Sequence, residues 1–175
     1  MSAKELIQQL QLLPHPECGW YRETYRSAET MTNKNGAKRN VCTAIYFLLE
    51  GKDKSHFHRI GSEETWFFHS GEPLEIKIIE NGQIRTILLG NNILKGEIPQ
   101  FTVPAKTWFA ARIKSGIGYS LVSCTVAPGF DFADFELAER RKFIKEFSEL
   151  EEIIREVTTD GSTKGFLQNF IILSG

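Results

Sequence analysis

With 175 residues the chain is long enough for one well-packed hydrophobic core and too short for two comfortable ones. Its 21 basic and 22 acidic residues nearly cancel, so nothing in its charge draws it to nucleic acid or to an anionic membrane surface. Cys18, Cys42 and Cys124 are scattered and odd in number, which suits small core residues in a reducing compartment rather than a disulfide framework.

In chain order, Ser2 followed by Glu5 fits a capping box for a short first helix with Leu6, Ile7 and Leu10 on one face, stopped by Pro14 and Pro16. Lys4 and Glu5 interrupt any apolar start, so the N-terminus does not read as a signal peptide, and no apolar run approaches the roughly 18–20 residues of a membrane span. The expectation is a soluble cytoplasmic protein. From Trp20 onward come short aromatic and β-branched segments punctuated by Gly, Pro, Asn and Ser, the spacing of a sandwich or barrel. Strands are predicted at 20–27, 41–50, 55–59, 64–70, 74–80, 83–89, 100–103, 108–113 and 119–127. Asn81-Gly82 marks a hairpin, with Leu74, Ile76 and Ile78 alternating before it and Ile84, Thr86 and Leu88 after it. The stretch 31–38 reads as a polar loop and a mobile flap.

After Pro128-Gly129 the period becomes helical, with Phe143, Phe147, Leu150, Ile154 and Val157 on one stripe and charged residues on the other faces. That stripe either caps the sheet or forms a subunit contact. The tail carries Phe166, Leu167, Phe170, Ile171, Ile172 and Leu173, a cluster that must dock on its own domain or on a second subunit.

The chemistry-bearing stretch is His56-Phe57-His58, followed by Glu63-Glu64 and Gly71. Histidines at i and i+2 of a regular strand share a face, so two imidazoles and a carboxylate gather around one point. Glu63 and Glu64 cannot both point inward on an undistorted strand. The following turn at Gly71, and the sharing of a face with Trp66 and Phe68, favour Glu64.

Gly51, His56, His58, Glu64 and Gly71 resemble the first motif of the cupin superfamily: a glycine, His-any-His, a glutamate and a glycine. Glu64 has the family's spacing to Gly71, whereas Glu63 better matches its spacing from His58. The runs Leu13-Pro14-His15-Pro16-Glu17, 19–26, 43–49, Gly71-Glu72-Pro73-Leu74, Val103-Pro104-Ala105 with Trp108, and 124–137 resemble one branch, the cupin-5 family of unknown function. Val126-Ala127-Pro128-Gly129-Phe130-Asp131-Phe132 is the most specific of them. The resemblance covers about 12–138, within a single cupin domain spanning 1–175 whose C-terminal helix and tail occupy about 133–175. It implies an all-β double-stranded β-helix, the cupin jelly roll, with a short N-terminal helix and a C-terminal helix, assembled as a homodimer. It also places Arg22, Glu23 and Arg26 near the pocket mouth or the dimer seam, where arginine binds phosphate or carboxylate in bidentate fashion; a solvated strand face explains them equally.

Where the second cupin motif normally ends in a third histidine, this chain reads Pro104-Ala105-Lys106-Thr107-Trp108-Phe109, with lysine for the glycine and Phe109 for the histidine. His56, His58 and Glu64 remain as a two-histidine, one-carboxylate set that suits iron, zinc or nickel. The alternative is a metal-free polar pocket, in which a histidine oriented by a carboxylate abstracts a proton next to a carbonyl. Jelly-roll epimerases of nucleotide-linked sugars resemble that arrangement and add a tyrosine, for which Tyr25, Tyr46 and Tyr119 are candidates. Trp66, Phe68, Trp108 and Phe109 serve as core or as cavity walls. His69 reads as outward-facing, His15 as a turn residue, and Asp131 and Asp134 as helix caps.

There is no phosphate-cradling loop ending in Lys-Ser or Lys-Thr, no Gly-any-Ser-any-Gly elbow and no Cys-any-any-Cys pair. Gly116-Ile117-Gly118 is a turn signal, and the cysteines sit among apolar strand formers, away from nucleophile chemistry. Three functions stay open: a small-molecule pocket for a sugar or nucleotide derivative with acid/base activity at His58 and Glu64, a metal-dependent oxygenase or isomerase, and a scaffold with a vestigial site.

Overall fold

The alternating segments on either side of Asn81-Gly82 pair as an antiparallel hairpin of β8 (Leu74–Glu80) and β9 (Gln83–Leu89) in the computed structural model, which describes residues 1–16 and 18–158. Asn81 and Gly82 hold φ of 52° and 74°, the positive values a tight turn between twisted strands requires. Register decides which apolar set of β9 enters the core. Ile87 lies opposite Ile76 and Leu89 opposite Leu74, so these two are buried while Thr86 is exposed.

The other strands are β1 (Leu13–Pro14), β2 (Trp20–Arg26), β3 (Thr30–Thr32), β4 (Lys38–Asn40), β5 (Thr43–Glu50), β6 (Lys54–Ile60), β7 (Glu63–Gly71), β10 (Gln100–Val103), β11 (Phe109–Ile113), β12 (Tyr119–Ala127) and β13 (Phe135–Leu137). They build a six-stranded sheet ordered β1-β2-β5-β12-β7-β10 and a five-stranded sheet ordered β13-β6-β11-β8-β9. All the strand pairs in these two sheets are antiparallel, as in a jelly roll. Their facing sides interlock through Phe47, Leu49, Trp66, Leu74, Ile76, Ile78, Phe109 and Val122, which form one contiguous core.

Helices close the two outer faces. α1 (Ala3–Gln9) is capped as expected: the Glu5 N–H donates to Ser2 Oγ at 3.3 Å and the Ser2 N–H returns to Glu5 Oε2 at 2.7 Å. Leu6 then packs on Leu48 and Leu121 of the six-stranded sheet. The C-terminal stripe is not one helix but two, α2 (Arg140–Glu146) and α3 (Glu151–Val157), separated by a break at Phe147 (φ −126°, ψ 62°) and a 3-10 turn. The break lets Phe143, Ile154 and Val157 all reach Phe57, Trp108 and Ala110 on the outside of the five-stranded sheet. The stripe therefore caps its own sheet; the apolar tail from Phe166 lies outside the described residues.

Four short strands went unread in the sequence, β1, β3, β4 and β13. β3 and β4 form a hairpin over the stretch read as a flap, turned by Asn33, whose Oδ1 accepts from the N–H groups of Asn35 (3.0 Å) and Ala37 (2.9 Å). β13 pairs with β6 just before the helices, and Asp134, expected to cap, instead engages Arg39 through two hydrogen bonds of 2.7 and 2.9 Å. Asp131 does cap, but a 3-10 turn, accepting from Ala133 N–H at 2.8 Å. Among the described residues no helix is long and apolar enough to cross a membrane.

Gly71 ends β7 at φ +99°, and a Cβ there would lie 2.1 Å from the Tyr119 carbonyl oxygen, which the β12 ladder holds in place. Gly82 has a similar φ but open space around it. Gly71→Ala is expected to cost more than about 3 kcal/mol of unfolding free energy, against roughly 1 kcal/mol for Gly82→Ala, where only the left-handed backbone resists. Urea unfolding of the two variants checks this; equal losses would show that the Tyr119 contact relaxes freely.

Candidate functional site

β6 does not run as a regular strand. Phe109 of β11 stands opposite His58 and Ala111 opposite Ser55, so two steps on one strand match three on the other: a β-bulge with one extra residue at His56-Phe57. Parity therefore breaks between Ser55 and His58, and both of these face the interior. Phe57 turns outward and is fully buried against Phe143, ring centroids 5.4 Å apart. His56 turns outward with it, toward Val157 at the end of α3, and its Nδ1 is buried without a hydrogen-bond partner among the described residues. The shared face expected for His56 and His58 is thus corrected: the bulge puts the two rings on opposite sides of the sheet.

β2 carries a second bulge. Glu23 pairs with Ile45 and Tyr25 with Ala44, leaving Thr24 as the extra residue. Tyr21 and Glu23 face inward before it, Tyr25 faces out at 54% exposure, and Arg26 faces inward after it.

These residues line a cavity of about 480 Å³ between the two sheets. His58 enters from β6 in the five-stranded sheet and Glu64 from β7 in the six-stranded sheet, so they approach from opposite sides. Glu64 is buried and Glu63 exposed. Trp66 joins Glu64 on the cavity wall. Phe68 and Phe109 pack instead in the core between the sheets, with the Phe109 ring 4.1 Å from that of His58. Trp108 is on the outer face, against Phe143 and under the Arg59 guanidinium at 4.5 Å, because it directly precedes the inward Phe109. Of the residues read as pocket-lining, then, His58, Glu64 and Trp66 come together, and His56, Phe68, Trp108 and Phe109 do not. None of Tyr25, Tyr46 and Tyr119 reaches the cavity; Tyr46 and Tyr119 pack near α1, and the tyrosine that lines the cavity is Tyr21.

Sequence reasoning also missed His15, Ser55, Phe130, Phe132 and Phe135 as cavity residues. His15 sits edge-on to Tyr21 and Phe47, centroids 5.0 and 5.2 Å away, its backbone confined between two prolines. Phe130 and Phe132 belong to the run most specific to the resemblance, which was the available signal. His69 is exposed as expected, with Nε2 2.9 Å from Ser123 Oγ.

Burial governs the electrostatics. The Glu64 carboxyl is pushed up to about 7 by desolvation, with Cys124 and Trp66 pulling weakly the other way. Trp66 Nε1 is nevertheless buried without a hydrogen bond of ordinary geometry. Burial drives His58 down to about 4 and His15 to about 3, the latter also through the like charge of His58. Burial, and the neighbouring Glu64, raise the Cys124 thiol well above its usual value. His58 Nδ1 lies 2.8 Å from the His56 carbonyl, so in the neutral ring Nδ1–H donates there and Nε2 is the basic nitrogen. At the rim, Arg26 is forked onto Glu23, Nε to Oε1 at 2.9 Å and Nη2 to Oε2 at 2.7 Å.

The donor set does not fit a metal. His56 has left the site, Phe109 occupies the position of the third histidine, and among the described residues no three His, Cys, Asp or Glu side chains are grouped to hold an ion.

Because the folded-state value of Glu64 lies above its ordinary 4.5, stability is unpenalised below that pH and is lost as pH rises through about 7. The histidines act in reverse, withdrawing stability as pH falls from 6.5 toward about 4 for His58. Glu64→Gln, close in shape to the protonated acid, is expected to raise stability by roughly 3 kcal/mol near pH 8 and to leave it unchanged near pH 4. Denaturant titrations at the two pH values test this; a gain independent of pH would mean that Glu64 is not a buried, neutral-leaning acid.

The comparisons with known proteins agree with this architecture. Residues 4–138 match the family described as Cupin superfamily (DUF985). The uncharacterized protein YML079W of Saccharomyces cerevisiae is 28% identical over 167 residues, covering 87% of this chain and 80% of the yeast protein. A hypothetical protein from Leishmania major superposes with a TM-score of 0.86 at 36% identity, covering 90% of this chain and 99% of that one. SO0799 from Shewanella oneidensis gives 0.84 at 34% identity, covering 92% and 99%. With its jelly roll and a family match over most of its length, the chain belongs to the cupin superfamily, in the DUF985 family.

Proposed function

We propose that the cavity binds a small polar molecule and that His58 and Glu64 move protons on it, in an isomerase-like or epimerase-like reaction. The observation that carries this reading is the approach of a neutral imidazole and a half-protonated carboxyl, from opposite sheets, into one aromatic-walled cleft. His58 Nε2 takes a proton from a carbon next to a carbonyl, and the Glu64 carboxyl donates its proton to the oxygen as the negative charge develops there. The Glu64 carboxylate takes a proton back from oxygen as carbon is reprotonated, by the His58 imidazolium at the neighbouring carbon to give an isomer, or by solvent on the other face to give an epimer. Tyr21 and His15 lie where they can orient the bound molecule.

This assignment requires neutral His58 and protonated Glu64. Activity is therefore lost as pH falls through about 4 and as it rises through about 7, a bell between those limits. The test is proton–deuterium exchange into a panel of carbonyl compounds in deuterated buffer, followed by NMR. Exchange with that bell, reduced at least about 100-fold in both His58→Ala and Glu64→Gln, is expected; exchange surviving in either variant overturns the assignment. Any true ligand at about 100 times its Kd also adds about 2.7 kcal/mol of stability, readable as a thermal shift.

We infer further that two chains associate along the free edge of β2. β1 pairs only with Trp20 and Tyr21, and the apolar side chains of Leu13, Tyr25, Met31 and Val41 are exposed on or near that end of the sheet. Light scattering is expected to give twice the chain mass for the native protein and the single mass for Tyr25→Arg; a native monomer at micromolar concentration would end this reading.

A further inference from the structure

We propose that the molecule taken by the cavity is uncharged and carries a flat ring, and that forms of it bearing a phosphate or carboxylate are rejected. This inference narrows the ligand of the site proposed above and rests on that reading.

Among the described lining residues Arg26 is the sole permanent cation. Its guanidinium is already engaged on three sides: forked onto Glu23, donating from Nη1 to Asn40 Oδ1 at 2.9 Å, and donating again from Nη1 to the Phe130 carbonyl at 3.2 Å. A phosphate entering here would have to displace Glu23, which also lines the cavity and would be left unpaired beside a second anion. Arg39, next to Asn40, is held in the same manner by a fork onto Asp134. Farther in, the ionisable groups offer no counter-charge. Burial keeps both lining histidines neutral at physiological pH, and the remaining acid, Glu64, brings no positive charge in either protonation state.

The walls add the second half of the argument. The rings of Phe130 and Phe132 meet edge-on at 4.8 Å, and Phe135 stacks on His58 at 5.3 Å with 28° between planes. Trp66 meets Phe47 edge-on at 5.9 Å. Such flat, closely spaced faces favour a planar or ring-bearing guest, and about 480 Å³ is room for one molecule of that kind. A sugar nucleotide, the substrate suggested by analogy with jelly-roll epimerases, has a flat base but fails the first condition through its phosphates.

Matched fragment pairs test this on the full chain: benzamide against benzoate, indole-3-acetamide against indole-3-acetate, and adenosine against adenosine monophosphate. Saturation-transfer NMR measures binding, and movement of the His58 imidazole signals reports whether a fragment sits in the cavity. The expected result is that uncharged members bind and move His58, and that each acid partner binds at least tenfold more weakly. Glu23→Gln, which releases the Arg26 guanidinium, is expected to improve the acids at least tenfold. Acids that move His58 and bind the native protein as tightly as their uncharged partners would overturn the inference and leave the pocket assignment standing. If no fragment of either charge moves His58, the inference and the pocket assignment both fall.

Discussion

The β-bulge in β6 decides the character of the site. A strand has a side-chain period of two, so one extra residue reverses the face of everything beyond it. Here the reversal lies between Ser55 and His58 and sends His56 and Phe57 out toward the helices. Phe57 becomes the floor on which Phe143 rests, and His56 lies toward Val157 at the end of α3. His58 is left as the one imidazole of the pair in the cavity, its tautomer set by the carbonyl of His56. One backbone irregularity thus docks the C-terminal helices, removes a metal-ligating position and orients the remaining histidine. The bulge in β2 works in the same way, rotating Tyr25 outward and Arg26 inward around Thr24.

Desolvation sets the rest. Nothing about a glutamate or a histidine in isolation predicts values near 7 and 4, and both come from a space walled by aromatic rings. The arrangement works against stability, since a carboxyl held in apolar surroundings disfavours folding at the pH where it must ionise. Trp66 Nε1, buried without a regular hydrogen bond, points the same way. Polar groups kept buried at such a cost are better explained by a task than by packing. Arg26 is the contrary case: it is closed onto Glu23, so this pair presents cancelled charge to the cavity.

Much of the fold was legible because its signals are local. The capping box at Ser2 and Glu5, the turn at Asn81-Gly82 and the alternation of Leu74, Ile76 and Ile78 each act within a few residues, and each is found where expected. Two of the cavity's central residues, His58 and Glu64, were legible from motif spacing as well. The departures share a different cause. The break at Phe147 lets α2 and α3 both reach Phe57 and Trp108, and β13 exists because the edge of β6 is available to it. His15 enters the cavity because β1 and β2 bring it beside Phe47, a contact that no spacing along the chain encodes.

By itself, then, the sequence determined the long strands and the first helix, the jelly-roll class and the neighbourhood of the site, since these follow from periodicity, caps, turns and family motifs. Only the tertiary structure decided that His56 leaves the site, that Tyr21 rather than Tyr25 enters it, and that Arg26 arrives already paired. The physical reason is the same in each case. A bulge exists only as a mismatch between two paired strands, and a shifted proton affinity or an engaged guanidinium depends on what surrounds the group in space.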